Sequence, residues 1–178
     1  GHVIQVLTEA RVPMVLLDID ANSADQKFAD QVKFENCDIR DKKALTMVFA
    51  GQSFQGVIHL AALKSVEDSQ KMKKEYFETN VTGTQNILEV MQEFDTRKII
   101  FSSSAAVYEA KVGTELVDET SPLRPVSYYG QTKVDAEDLI LKFTNRSLVK
   151  SIIFRYFNVA GSINSKLKDK SVQNLIPI

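Results

Sequence analysis

The chain has 178 residues, 44% hydrophobic and 25% charged, with a formal net charge of −1. That is enough for one domain with a sizeable core, and it excludes the global basic field that nucleic acid or anionic lipid would select, so no nucleic-acid partner is expected. Cys37 is the one cysteine and His2 and His59 are the two histidines, which excludes an internal disulfide and leaves no basis for a metal site; with no membrane-length apolar stretch and no secretory leader pattern in this sequence, a cytoplasmic protein off the membrane is expected.

The elements follow in chain order. Val3 to Ala10 suits a helix, closed by Pro13. Met14 to Leu17 is an apolar run that ends in Asp18, Ile19 and Asp20, and Val32 to Cys37 is a weaker strand candidate. Asp41 to Ala50 opens with a capping residue and stops at Gly51, as a helix does. Gly56 to Ala62 is a strand candidate. Tyr76 to Phe94 places Phe77, Val81, Ile87, Leu88 and Met91 near a helical period. Lys98 to Ser104 reads as a strand, Tyr129 to Phe143 as a helix, and Ser151 to Asn158 as a strand. The strand candidates are short, rich in Val and Ile and not alternating, which suits strands buried on both faces of a parallel sheet. Strands alternating with helices predict an α/β fold of the Rossmann type, a doubly wound parallel sheet with right-handed crossovers. Such a unit should open with a strand and a glycine-rich turn. This sequence opens instead in a helix and ends just after an Asn-Leu-Ile-Pro run, so it is expected to be a piece of a longer protein.

Three groups of residues carry chemistry. In a dinucleotide-binding fold, an acid at the end of the second strand accepts hydrogen bonds from the adenosine ribose, roughly 20 residues beyond the glycine turn. Asp18 stands in that place, and an acid there repels a 2′-phosphate, which favours NAD over NADP. Taken alone, such an Asp is a solvated strand end. Asp38 closes the next strand and could reach the adenine edge; its plainer reading is the cap of the following helix. The second group is Tyr129-Gly130-Gln131-Thr132-Lys133, in which Tyr and Lys share one helix face. A free phenol titrates near ~10, and a neighbouring ammonium and a nicotinamide cation lower that value toward the range in which the phenol can exchange a proton with a hydroxyl. The third is Ser102-Ser103-Ser104, at a strand's carboxyl end, where ligands bind in open α/β sheets.

Ser-Ser-Ser-Ala-Ala-Val-Tyr, then Tyr-Tyr-Gly-Gln-Thr-Lys, then Arg-Tyr-Phe-Asn resembles the extended short-chain dehydrogenase/reductases, the NAD-dependent epimerase/dehydratase family. His59-Leu60-Ala61-Ala62-Leu63-Lys64-Ser65-Val66 is similar to the matching segment of its UDP-glucose (UDP-galactose) 4-epimerases, and Asn80-Val81-Thr82-Gly83-Thr84 and Asn174-Leu175-Ile176-Pro177 match further segments. The resemblance implies NAD-dependent 4-epimerisation of a UDP-hexose through a transient 4-keto sugar. It implies Tyr129 as catalytic base and acid, Lys133 as its partner and a ligand of the nicotinamide ribose, and Ser104 beside the sugar hydroxyl. Asp18, Ile19, Asp20, Ala21, Asn22 and Ser23 would surround the adenosine ribose, with Asp38 and Ile39 at adenine. Leu60, Ala61, Ala62, Leu63 and Lys64 would run along the cofactor, with Asn80 supporting them and Phe157 near the nicotinamide. Asn158, Asn174 and Leu175 would touch the UDP-sugar. Residues 1–160 would be a partial NAD-binding domain without its first strand and glycine turn, 161–178 the start of a substrate domain, and the whole protein a homodimer. A dehydratase on this scaffold carries Asp-Glu where this chain has Ala105 and Ala106, which disfavours elimination. A reductase shares the Ser-Tyr-Lys set. A non-catalytic NAD-binding protein commonly loses the Tyr or the Lys, and both are kept here.

Overall fold

The computed structural model describes residues 1–20, 32–109 and 116–159. The chain divides into two compact units; Gly1–Asp38 belongs to the smaller and Ile39–Phe157 forms the larger.

In the smaller unit, helix α1 (His2–Glu9) precedes strand β1 (Val15–Asp18), which pairs in parallel with β2 (Lys33–Asn36). The register runs from Val15 opposite Lys33 to Asp18 opposite Asn36. Past the last pair, the Cys37 N–H donates to the Asp18 carbonyl at 3.0 Å and the Asn36 amide donates to the Ile19 carbonyl at 2.8 Å. The carboxyl ends of the two strands are thereby tied side by side.

The larger unit opens with helix α2 (Lys42–Ala50), capped by the Asp41 carboxylate, which accepts from the N–H groups of Lys43 and Ala44 at 3.0 and 3.1 Å. The cap is therefore Asp41 and not Asp38. Strands β3 (Val57–His59), β4 (Lys98–Ser104) and β5 (Lys150–Tyr156) form a parallel sheet in that order. The β3–β4 crossover contains α3 (Val66–Lys71), α4 (Lys73–Phe77), a π-helical turn at Glu78–Thr82 and α5 (Gly83–Glu93). Helix α6 (Tyr128–Thr144) makes the β4–β5 crossover. The parallel α/β architecture expected from the sequence is thus present in both units. The continuous helix expected over Tyr76 to Phe94 is instead interrupted by the π turn, and α3 was not anticipated.

Side-chain alternation sorts the sheet. Ile99, Phe101 and Ser103 of β4 are buried, and His59 of β3 is buried beside Phe101, its register partner. Val90 and Met91 of α5 and Ala136 and Ile140 of α6 are fully buried with them. Among the described residues, no helix is long and apolar enough to cross a membrane, and no cluster of three His, Cys, Asp or Glu side chains could hold a metal ion.

One close approach orders the sheet's carboxyl edge. A Cβ on Gly130 of α6 would stand 2.2 Å from the Ala106 carbonyl oxygen and 2.9 Å from Pro125 Cβ. Backbone meets backbone there, so the conflict has no flexible side chain to absorb it. Gly130→Ala should lower the folding stability of the full-length protein by about 1–3 kcal/mol, seen as a lower denaturation midpoint at unchanged slope. A variant as stable as the wild type would show that α6 can move off the turn without loss.

Candidate active site

The candidate site forms where β4 ends. The chain leaves Ser104 through a 3-10 turn at Ala105–Val107, and the Ser104 hydroxyl caps that turn by accepting from the Ala106 N–H at 3.2 Å. The three consecutive serines play three parts. The Ser102 carbonyl accepts from Lys133 Nζ at 2.9 Å. The Ser103 hydroxyl points toward α6 and donates to the Glu137 carboxylate. The Ser104 hydroxyl faces the Tyr129 phenol and favours its ionised form.

Helix α6 is placed from its first turn. Ser127 caps it, accepting from the Gly130 N–H at 3.0 Å. The Tyr129 N–H, one of the donors a helix start leaves without an intrahelical partner, donates to the Ser69 hydroxyl of α3 at 3.1 Å. Ser69 is fully buried and passes its own proton to the Val66 carbonyl at 2.6 Å. The segment after β3 is thus fastened to the backbone of Tyr129.

Asn80 does a related task from the π turn. Its amide oxygen accepts from the Leu63 N–H at 2.8 Å, and its amide nitrogen donates to the Leu63 carbonyl and to Thr132 Oγ1, both at 3.0 Å. It binds Leu63 as a neighbouring strand would. Leu60, at 50% exposure, and Ala61 remain exposed beyond it, Ala62 and Leu63 are half-buried, and Lys64 is exposed. Behind them, His59 Nε2 meets Thr84 Oγ1 at 2.9 Å. The Thr84 hydroxyl gives its proton to the Asn80 carbonyl at 2.7 Å, so Nε2 carries the imidazole proton. Burial, with the Lys133 charge adding to it, pushes His59 down to about 3, and the ring is neutral.

Lys133 is 3% exposed. Its ammonium lies 4.9 Å from the centre of the Phe101 ring and 5.8 Å from that of Tyr129. Burial pushes it down to about 8, against the opposing pull of Glu137. Burial also pushes the Tyr129 phenol above its ordinary value, and the Ser104 hydroxyl works the other way. The ammonium sits over the ring and donates to a carbonyl, and in the chain by itself burial outweighs the Ser104 hydroxyl at the phenol.

The remaining predicted residues fall in several places. Asp18 closes β1, and its carboxylate accepts from the Asp20 N–H at 3.0 Å; Ile19 and Asp20 are exposed. Asp38 follows β2 in the same unit. Ile39 opens the larger unit as a core residue, with its carbonyl accepting from the Asn86 amide at 3.0 Å and its side chain filling the space beside Gly83. Phe157 is exposed directly after β5, and Asn158 belongs to the smaller unit. Ala21, Asn22, Ser23, Asn174 and Leu175 lie outside the described residues. Glu137, Ser69 and Thr132 were not singled out from the sequence. Glu137 had a signal, four residues after Lys133 on the same helix face; Ser69 had none.

The comparisons with known proteins agree with this geometry. The model of the NAD dependent epimerase/dehydratase family matches residues 1–177. A UDP-glucose 4-epimerase of Halalkalibacterium halodurans is 35% identical over 181 aligned positions, covering 100% of this chain and 54% of that protein. UDP-glucose 4-epimerase 2 of rice (Oryza sativa subsp. japonica) is 42% identical over 130, covering 72% and 32%. The crystal structure of the Thermus thermophilus UDP-glucose 4-epimerase in complex with NAD superposes with a TM-score of 0.86 at 28% identity, over 93% of this chain and 53% of that one. The chain therefore spans between about a third and about half the length of these relatives. With a family match over nearly its whole length, beside a Ser104, Tyr129 and Lys133 set at the end of a parallel strand, the chain belongs to the NAD dependent epimerase/dehydratase family.

Proposed function

We propose that the full-length protein interconverts UDP-glucose and UDP-galactose by oxidation and re-reduction at C4 with tightly held NAD. The observation that carries this reading is the set Ser104, Tyr129 and Lys133 at the carboxyl end of β4. Ala105 and Ala106 follow it, where an eliminating enzyme would need an acid. The names of the relatives support the same substrate class. On this reading residues 1–160 are part of the NAD-binding domain, 161–178 begin the substrate domain, and the whole protein is a cytoplasmic homodimer.

The donor set fits a nicotinamide dinucleotide. An ammonium has three N–H donors, and the Ser102 carbonyl takes one from Lys133; adjacent ribose hydroxyls are complementary acceptors. Leu60 and Ala61 offer uncharged exposed surface, and Ala62, Leu63 and Lys64 continue that path, held by Asn80 through Leu63. Asp18 supplies the acceptor for the adenosine ribose, with Ile19, Asp20, Ala21, Asn22 and Ser23 around it, and Asp38 and the Ile39 backbone serve adenine. Phe157 serves the nicotinamide, and Asn158, Asn174 and Leu175 serve the UDP-sugar. When bound, NAD supplies a reversible hydride acceptor for C4.

The residues of this chain handle the proton. Tyr129 takes it from the sugar 4-hydroxyl and returns it when the 4-keto sugar has turned over in the site. Ser104 shares the hydrogen bond to that oxygen and fixes which hydroxyl is presented. Lys133 opposes the effect of burial by favouring phenolate through its charge, which is present below about pH 8 and lost as pH rises through that value.

Incubating the full-length protein with UDP-galactose should yield UDP-glucose without added oxidant, and absence of product would end the proposal. Tyr129→Phe should lower kcat by about 10²–10⁴-fold with an unchanged melting curve. In the wild type, kcat/KM should fall on the alkaline side near pH 8; Lys133→Ala should be slower, lack that fall and show its optimum at higher pH. Asp18→Ala should narrow the preference for NAD over NADP, measured as the ratio of their dissociation constants. A wild type that binds NADP more tightly would remove Asp18 from its assigned role.

A further inference from the structure

A buried ion pair behind the Ser-Tyr-Lys face has no part in the proton transfer just described. Glu137 stands one helical turn beyond Lys133 on α6, so the two side chains leave the same face. The Glu137 side chain is 2% exposed and that of Arg155 is 18%. Arg155 grips the carboxylate as a fork, with Nη2 at 2.7 Å from one oxygen and Nε at 3.1 and 3.2 Å from the two. Its remaining arm, Nη1, donates to the Tyr108 hydroxyl at 2.9 Å and to the Glu119 carbonyl at 3.2 Å. Ser103, the register partner of Arg155 on β4, donates its hydroxyl to the same carboxylate. Glu137 is therefore held from β4 and β5 at once, one helical turn beyond Lys133.

We infer that Glu137 is a positioning residue for the reaction centre: its carboxylate, fixed by Arg155 and Ser103, is the counter-charge that keeps the Lys133 ammonium charged and in place against the Ser102 carbonyl. The inference rests on the epimerase reading only for what Lys133 is used to do. A lysine buried among the Phe101 and Tyr129 rings loses hydration, and burial alone drives it toward the neutral amine. The charged and titratable groups around it are His59 from β3, Tyr129 and Glu137 from its own helix, and Arg155 from β5 behind Glu137. The helical segments packed against α6 present Ser69 and Asn80, the Lys73 ammonium over the Tyr128 ring, and the buried Tyr76, whose hydroxyl donates to the Ser65 carbonyl. His59 is neutral and Tyr129 protonated at neutral pH, so Glu137 is the group in this set that favours the ammonium. Its four-residue offset from Lys133 keeps it out of reach of a ligand at Ser104.

The test uses the full-length protein with Glu137→Gln, Glu137→Asp and the double variant Glu137→Gln/Arg155→Gln. The double variant leaves no lone guanidinium buried, and so guards against a fold lost for that reason alone. The Lys133 ammonium is titrated by NMR, assigned by its loss in Lys133→Ala, and kcat/KM for UDP-galactose is followed against pH. In Glu137→Gln, which leaves Arg155 uncompensated, the Lys133 titration should move down by about one pH unit, in the double variant, which removes both charges, it should move down by less, and the alkaline fall in kcat/KM should move with each. Glu137→Asp, which keeps the charge, should recover most of the displacement. A Lys133 titration that stays in place in the folded Gln variants overturns the inference, even where kcat has dropped uniformly. A wild type that does not turn over UDP-galactose overturns the epimerase reading instead, and the NMR titration then decides the inference by itself.

Discussion

The candidate site depends on the approach of α6 to the end of β4, which is possible because residue 130 carries no side chain. With Gly130 lying against the Ala106 carbonyl, the helix lies close along the strand, and the spacings match. Four residues of helix advance about 6 Å, and two residues of strand advance about 6.6 Å. Tyr129 and Lys133, one such interval apart, meet Ser104 and the Ser102 carbonyl, two residues apart on β4, and Glu137, one turn further, takes the Ser103 hydroxyl that lies between them in sequence. A helix standing one methyl group further out would lengthen all three contacts. Proton-transfer geometry tolerates little of that, since donor and acceptor must come within about 2.6–3.2 Å.

Polar groups lie buried beneath this face. His59, Ser69, Asn80, Thr84, Ser103, Thr132, Lys133 and Glu137 are all buried, and each has a partner within the unit. Leaving one such group without its partner costs about 1–3 kcal/mol, more where it is charged. A buried ion pair by itself adds little stability over an apolar pair of the same volume. Stability alone therefore gives no reason to bury Glu137, Arg155 and Lys133 under a sheet edge that apolar residues could fill. What the network supplies is location. Asn80 holds Leu63, Ser69 holds the backbone of Tyr129, and Glu137 holds Ser103 and Arg155. The segment after β3, the start of α6 and the ends of β4 and β5 are fixed to one another by directional bonds.

The sheet was legible in the sequence because buried parallel strands leave continuous apolar runs. Lys98–Ser104 was read with both ends correct, and β5 was off by one residue at its start and two at its finish. The Ser-Tyr-Lys set was legible because its spacing on a helix face is local. What escaped was whatever depended on partners distant in sequence. The π turn at Glu78–Thr82 shows no break in apolar periodicity; it is stabilised by Asn80 reaching Leu63, and nothing near Asn80 in sequence announces that bond. The short α3 has a polar sequence and is identified by its Ser65 cap and by Ser69 binding α6. Ile39 was read as a flank for adenine; that its side chain packs beside Gly83 becomes evident only once α5 is placed. The Asp41 cap, by contrast, is local and was legible, and its carboxylate accepts from the N–H groups of Lys43 and Ala44.

Burial acts on the two titrating partners in opposite senses, and this limits how the site can work. It raises the Tyr129 phenol and lowers the Lys133 ammonium to about 8. With rising pH the ammonium therefore gives up its proton before the phenol does, and Lys133 by itself does not make Tyr129 a base at neutral pH. Two further sources of favour for phenolate remain. One is the Ser104 hydroxyl, which already lowers the phenol. The other is added positive charge from a ligand at the same edge, which would stabilise phenolate and destabilise the ammonium together. The first effect readies the base, while the second would strip Lys133 of the charge that helps it. A fixed negative group on the far side of Lys133 resists that loss without reaching the phenol. Glu137, buried one turn beyond Lys133 and two beyond Tyr129, has that placement. The order Tyr129, Lys133, Glu137 along a single helix face thus sets the carboxylate on the side of Lys133 away from the phenol.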